Sequence, residues 1–183
     1  VAAMILHDYP ALNAEQLRVL ERVHLDFVRA GARLSGQERQ RYGEIMGELA
    51  TLCTQFGQNL LAEESTYTLE LKTEADRAGL PAFVLQAAKA AAQQRGLGDD
   101  AYALTLSPSL AEPFLTFSSR RDLRETLWRA RVARGAHAGE HDNRPVAAKI
   151  MALRQEQAAL HGYTTYADYE LVDRMAGKTS AVL

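Results

Sequence analysis

The sequence lacks most of the features that would assign a chain directly to a function class. Its single cysteine, Cys53, excludes an intramolecular disulfide and fits a reducing compartment. No apolar run approaches the roughly 18 residues of a membrane-spanning helix. The opening "VAAMILHDYP" has no basic stretch before its short apolar run, unlike a signal peptide. With a formal net charge of -2, we expect no nucleic-acid or membrane partner. A cytoplasmic location is expected, with the periplasm left open.

What is present is the composition of an ordinary folded domain. The chain has 183 residues, of which 47% are hydrophobic and 24% charged, and this length suffices to bury a core. It starts at Val1 rather than Met, and its last stretch, "GKTSAVL", predicts a helix that begins at Thr179 or Ser180. We therefore expect residues 1–183 to form a single, mostly helical domain excised from a larger protein. A natively processed chain is the alternative.

Helical periodicity dominates the first third of the chain. Asn13 and Gln16 resemble a capping box, and a helix is predicted from there to about Leu34. Ser35 and Glu38 form a second box, which opens a helix that is predicted to end near Glu63. The two helices are expected to form a hairpin, each burying one stripe. The stripes are Leu17, Leu20, His24 and Phe27 in the first helix, and Tyr42, Ile45, Met46, Leu49, Cys53, Phe56 and Leu60 in the second.

The period then changes to strict alternation in two short stretches. Residues 66–72 and 101–106 are predicted to be strands that pair with each other in an undetermined direction, around a helix that runs from Pro81 to Gly96. Further helices are expected after Ser119 and Asp122, from Asp142 or Asn143 to Gly162, and after Thr165 and Asp168. The predicted fold class is mainly α: a helical hairpin plus further antiparallel helices, with one small two-stranded β element.

One short stretch has the form of a metal motif. In "RGAHAGEHDN", His137, Glu140 and His141 match H-x-x-E-H, the inverted zinc-protease signature. Two histidines four residues apart face the same way only on a helix. Gly135, Gly139 and a helix cap that restarts at residue 142 all disfavour one, and no third ligand is marked. We interpret the stretch as a polar loop and keep an inverted-motif zinc hydrolase as an alternative.

The other chemically active side chains also have structural explanations. His24 is predicted to be a hydrogen-bonded core residue and Cys53 a buried apolar one, while His161 would face a helix C-terminus, where its proton interacts well with the dipole. His7 is not placed by any pattern. Ser109 and Ser119 are assigned to a turn and a cap, since the chain has no G-x-S-x-G, G-x-G-x-x-G or Walker loop. The sequence itself therefore marks no catalytic, cofactor-binding or metal residue.

A basic segment with an aromatic residue is the remaining candidate for binding. "SSRRDLRETLWRARVARG" contains Trp128 and six arginines, a composition that is compatible with nucleic-acid binding. Asp122 and Glu125 interleave with the arginines, which are at positions 120, 121, 124, 129, 131 and 134. This interleaving favours a solvated helix whose charges are held in salt bridges.

A longer string of motifs resembles a known family. The order is R-x-x-x-x-R-A-x-x-x-R-G, then G-E-x-D-N, then L-R-x-E-x-A-x-L-x-G-Y-x-x-Y-A-x-Y, then M-A. Together with "GLP" before a helix and "LSPSLAEPFLTFSSRRDLRE", it is similar to the thimet-oligopeptidase family of zinc metallopeptidases, in particular to the bacterial peptidyl-dipeptidase branch. The resemblance extends from about Pro10 to Leu183.

The resemblance implies a non-catalytic role for this chain. In that family a largely helical N-terminal lobe walls a deep channel, and another lobe holds zinc through H-E-x-x-H and a downstream glutamate. This sequence has no H-E-x-x-H, so no family catalytic residue carries over and the chain alone is expected to be inactive. Zinc and short peptides would belong to the parent protein. The expected partner is a missing C-terminal catalytic lobe. The chain is also expected to self-associate through the face that this lobe leaves exposed. A standalone helical binding module is the alternative.

Overall fold

The computed structural model describes residues 12–183, which are mainly helical as predicted. The helices are α1 (Ala14–Phe27), α2 (Gly36–Thr66), α3 (Ala82–Gln94), α4 (Pro108–Phe117), α5 (Arg121–Val132), α6 (Asn143–Leu160) and α7 (Tyr166–Leu171). The strands are β1 (Leu69–Glu70) and β2 (Ala103–Leu104), and shorter helical turns occupy Val28–Ala32, Ala75–Arg77 and Thr179–Ala181. Among these described residues, no helix combines the length and the apolar character that crossing a membrane requires.

The residues group into two compact units. One comprises residues 12–52 together with Ala148–Leu183, and the other comprises Cys53–Ala147.

In the first unit, α1 begins where its cap predicts and ends early. Asn13 Oδ1 accepts a hydrogen bond from the Gln16 amide at 2.9 Å, and Gln16 Oε1 accepts one from the Asn13 amide at 3.0 Å. The predicted helix to Leu34 is interrupted instead, because a π-helical turn follows Phe27 and Gly31 adopts φ +89°. Only glycine adopts this left-handed conformation at little cost, so the chain leaves the helix there.

The predicted hairpin stripes are only partly buried. No residue of α1 is fully buried, and 65% of the Phe27 surface is exposed. In α2, Ile45 and Leu49 are buried, but Cys53 is exposed, so the prediction of a buried cysteine was wrong. The reason is geometric: successive residues of an α-helix are rotated by about 100°, so Cys53 lies about 80° around the helix from Ile45, at the edge of the buried face.

The second unit contains a continuous core around the small sheet. β1 and β2 pair antiparallel, with Leu69 opposite Leu104, which confirms the predicted element and supplies its direction. A two-stranded sheet is marginal alone and is stabilised here by the helices that cover it. The core consists of Leu71, Leu80, Val84, Ala88, Leu104, Leu106, Leu110, Ala111, Phe114 and Leu127.

Helix α4 was not predicted, although it provides three residues of this core. Pro113 lies inside the helix, and an interior proline normally marks a break. The burial of Leu110, Ala111 and Phe114 offsets that cost.

Candidate functional site

The H-x-x-E-H stretch lies in the connection between α5 and α6, as its interpretation as a loop predicts. Residues 136–142 are outside helices, and Gly139 adopts φ +141°. His137 and His141 are both exposed and do not share a helical face. The connection ends at Asp142, whose Oδ1 accepts a hydrogen bond from the Arg144 amide at 3.0 Å and thereby caps α6.

The start of this loop is held against the C-terminal part of α2. The Gly135 amide donates to Glu63 Oε2 at 2.6 Å, and His137 Nδ1 lies 2.5 Å from Glu63 Oε1. Arg134 forms an ion pair with Glu64, the next residue of α2. Gly135 itself is buried at φ +69°, with no room for a side chain, since a Cβ there would lie 2.9 Å from Asn143 Nδ2.

The end of the loop is held by a buried asparagine. The Asn143 amide donates to the Gly135 carbonyl oxygen at 2.7 Å. Its side-chain Nδ2 donates to the Phe56 carbonyl oxygen at 3.0 Å, and its Oδ1 accepts from Asn59 Nδ2 at 2.9 Å. We call the set Asn59, Glu63, Gly135 and Asn143 the loop latch. Sequence reasoning missed Asn59 and Glu63, because no local signal links them to residues more than 70 positions away.

The loop geometry does not fit a zinc site of the inverted type. The two histidines would need one helical face to converge on an ion, and the Glu63 carboxylate already contacts His137. Across residues 12–183, no group of three or more His, Cys, Asp or Glu side chains is arranged to hold a metal ion. We therefore derive no metal chemistry from these residues.

The other two described histidines, His24 and His161, are structural. His24 is half-buried rather than in the core, and its Nε2 lies 3.0 Å from Arg33 Nη2. His161 stacks on Tyr169 at 5.4 Å between ring centroids and meets Tyr42 edge-on at 5.3 Å. Burial and the nearby Arg29 lower the pKa of His161, so the packing favours its neutral form over the dipole-stabilised cation that was expected. His7 lies outside the described residues.

The serines form a hydroxyl cluster rather than a nucleophile. Ser107 precedes α4, and its Oγ lies 3.2 Å from Ser109 Oγ. Both line an open concavity of about 660 Å³ next to Arg95, in which no histidine takes part. Ser119 is not the cap of α5: Arg120 occupies that position, and the Ser118 hydroxyl accepts from its amide at 3.2 Å.

Ion pairs hold most of the basic segment, as its interleaved charges predict. Arg120 forms two hydrogen bonds to Asp122, which lower the pKa of that carboxyl to about 2. The other pairs are Arg129 with Glu125, Arg131 with Glu112 and Arg134 with Glu64. Among the described residues, no carboxylate pairs with Arg121 or Arg124.

These two arginines line an open groove of about 430 Å³ together with Leu115, Glu125 and Trp128. Four of the lining residues follow helical spacing, at positions 121, 124, 125 and 128, and therefore share one face of α5. Half of the Trp128 surface, 51%, is exposed. The groove combines free positive charge with an accessible aromatic ring.

Comparison with known proteins supports this resemblance over nearly the whole chain. Residues 114–183 match the family model described as Peptidase family M3. The chain is 37% identical over 180 residues to oligopeptidase A of Haemophilus influenzae, an alignment that covers 96% of the chain and 26% of that protein. It is 31% identical over 172 residues to dipeptidyl carboxypeptidase of Escherichia coli, covering 94% of the chain and 25% of that protein.

A more distant eukaryotic relative aligns over the same extent. Saccharolysin of Saccharomyces cerevisiae is 23% identical over 173 residues, which covers 94% of the chain and 23% of that protein. The chain spans about a quarter of the length of the curated relatives it matches.

Proposed function

This chain is a homologue of the oligopeptidase A and dipeptidyl carboxypeptidase members of peptidase family M3, and we propose that it is a non-catalytic helical part of a longer, zinc-dependent peptidase that cleaves short peptides. The observation that carries the proposal is the alignment of 96% of the chain with 26% of oligopeptidase A. Under this proposal, residues 1–183 are one segment of the N-terminal lobe.

The role we assign to the segment is to wall the substrate channel. A channel bounded by rigid helices admits an extended short peptide and excludes a folded chain by size alone. The long helix α2, about 46 Å for its 31 residues, suits such a wall. The loop latch supports this role because it ties the connection between α5 and α6 to α2 through three hydrogen bonds.

The metal and the proton-transferring group would come from outside this segment. Zinc hydrolases of this type need two histidines on one helix, a third ligand and a glutamate that accepts a proton from metal-bound water. The segment has no H-E-x-x-H to supply them. Its contribution would therefore be selection and support of the substrate, while hydrolysis takes place on the remaining part of the protein.

The test is a cleavage assay on the purified chain. The chain is incubated with zinc and with a mixture of short peptides, and cleavage products are followed by mass spectrometry. We expect no products, because the residues that would bind zinc and activate water are missing. Oligopeptidase A, treated identically, is the positive control, and its activity should disappear when a chelator is added.

Sustained cleavage by the chain alone that a chelator abolishes would contradict the proposal. A second measurement is independent of activity: the complete reading frame should encode H-E-x-x-H downstream of Leu183. A stop codon soon after that position would instead favour the standalone binding module.

A further inference from the structure

The arginines of the basic segment divide into two sets. Four of them, at positions 120, 129, 131 and 134, are held by carboxylates at close range. Arg121 and Arg124 have no carboxylate partner among the described residues, and both line the same groove. Arg124 is further oriented by a hydrogen bond from its Nη1 to the Ser118 carbonyl oxygen. The positive charge that the helix leaves uncompensated is thus collected at one place.

The groove also offers apolar surface beside that charge. Trp128 lies one turn beyond Arg124 on the same face of α5, with 51% of its surface exposed, and Leu115 of α4 lines the groove as well. Exposed tryptophan is uncommon away from interaction sites, because its ring gains more from burial than most side chains. Charge and aromatic surface together suit a ligand that is both anionic and apolar.

We propose that this groove binds the free C-terminal carboxylate of a short peptide, with the last side chain of the peptide against Trp128 and Leu115. This inference rests on the proposed function, in that the ligand is a peptide, and it assigns to the segment a preference for apolar C-terminal residues. A planar guanidinium group donates two parallel hydrogen bonds to a carboxylate. Arg121 is the principal partner, because Nη1 of Arg124 is already bonded to the Ser118 carbonyl oxygen. Arg124 has its Nε and Nη2 left for the same anion.

The groove is less suited to a nucleic acid. Glu125 is one of its five lining residues and would repel a chain of phosphates. The two arginines without a carboxylate partner match one localised negative charge, whereas a longer polyanion would extend past them to Glu125. The observations therefore favour one localised negative charge over a polyanion.

The chain itself provides the probe for a binding test. Trp128 is its only tryptophan, so intrinsic fluorescence reports on this groove alone. The full chain is titrated with an N-acetylated tripeptide ending in phenylalanine, once as the free acid and once as the C-terminal amide. We expect a saturable change in fluorescence with the acid and about tenfold weaker binding of the amide, since the amide loses the charged hydrogen bonds.

Two substitutions and a matched control locate the site. Arg121→Gln removes one free charge from an exposed position and should weaken binding of the acid about tenfold, until acid and amide bind alike. Arg121→Lys keeps the charge without the planar pair of donors and should lie between the two. Arg39→Gln removes the same charge from an exposed position on α2, outside the groove, and should bind like the original chain. Circular dichroism verifies that each variant is folded.

Three results would overturn the inference. The first is no saturable change with either peptide, and the second is equal affinity for acid and amide in the original chain. The third is tighter binding of a single-stranded oligonucleotide that weakens steeply with salt, which would make the groove a nucleic-acid site. The cleavage assay and the search for H-E-x-x-H downstream of Leu183 are independent of all three results. A failed binding prediction for the groove can therefore be distinguished from a failed proposed function.

Discussion

At the scale of single residues, the H-x-x-E-H stretch is a loop that is held at both ends by hydrogen bonds. Gly135 and Asn143 bracket the H-x-x-E-H stretch, and each makes hydrogen bonds to residues of α2. The histidines between them are exposed and make one contact with Glu63. The hydrogen bonds at its two ends therefore set the path of the loop.

The close packing around Gly135 predicts a specific loss of stability. In Gly135→Ala, the new Cβ meets Asn143 Nδ2 at 2.9 Å and Leu60 Cδ2 at 3.1 Å, in addition to the left-handed φ of +69°. Gly96→Ala is the matched control, because Gly96 has φ +70° and open space around it. We expect a loss of about 1 kcal/mol in the control and about 3 kcal/mol in Gly135→Ala. Urea denaturation measures both, and equal losses would show that the contacts with Asn143 do not resist displacement.

At the scale of elements, His161 shows how a helix end is tied to its neighbours. It follows α6 directly, stacks on Tyr169 of α7 and meets Tyr42 of α2 edge-on. Arg29, in the π-helical turn, lies over the Tyr169 ring at 4.7 Å and forms an ion pair with Asp173. Aromatic pairs of this kind contribute about 0.5–1.5 kcal/mol each beyond the area they bury. Four elements of the first unit thus meet around one imidazole ring.

This arrangement predicts a pH dependence of stability. Because burial and Arg29 lower the pKa of His161, the unfolded chain binds its proton more readily than the folded one. The stabilisation is fully present above the unfolded value of about 6.5 and is lost as pH falls below it towards the lowered folded value. We expect the urea concentration at the unfolding midpoint to decrease as the pH is lowered from 7.5 to 5.5. The decrease should be smaller in His161→Phe, which keeps a ring but cannot be protonated.

His141→Gln is the control for this experiment, since the side chain is exposed in the loop and should behave like the original chain. The buffers stay above the range in which the arginine-paired carboxyls titrate, such as Asp122 with its pKa of about 2. An identical fall in the original chain and in His161→Phe would assign the pH dependence to other groups.

At the scale of the whole molecule, many large apolar side chains are on the surface of the described residues. Phe83 and Phe117 pack edge-on at 6.1 Å and are 55% and 46% exposed, and Val132 and Met151 are more exposed still. Such surface is costly in water and commonly marks an interface. It suits a segment whose helices are covered by the rest of a longer protein, as we propose.

The exposed phenylalanine pair predicts self-association of the isolated chain. We expect the average mass from sedimentation velocity to rise with concentration and to rise less in Phe83→Glu, which places a charge in the apolar surface. Gln86→Glu adds the same charge to an exposed position of α3 without removing a ring, and it should behave like the original chain. A monomer at all concentrations would contradict both the exposed interface and this assignment of its position.

Periodicity, caps and turn residues determine most of the elements of this protein. Asn13, Asp142 and Thr165 cap helices where the sequence predicts, and the two alternating stretches form the small sheet, because these signals act within a few residues. The ordered string of motifs likewise identified the family from residues alone.

Only the tertiary structure decided which side chains are buried and which charges are paired. Cys53 is exposed rather than buried in its predicted stripe, and α4 is a helix although it contains Pro113. Glu63 accepts a hydrogen bond from Gly135, which is 72 positions away in the sequence. Among residues 12–183, carboxylates pair with four of the six arginines of the basic segment but not with Arg121 or Arg124. Each of these outcomes depends on contacts between segments that are distant in sequence. The free energy of such contacts outweighs local secondary-structure propensity, and short-range sequence patterns do not reveal them.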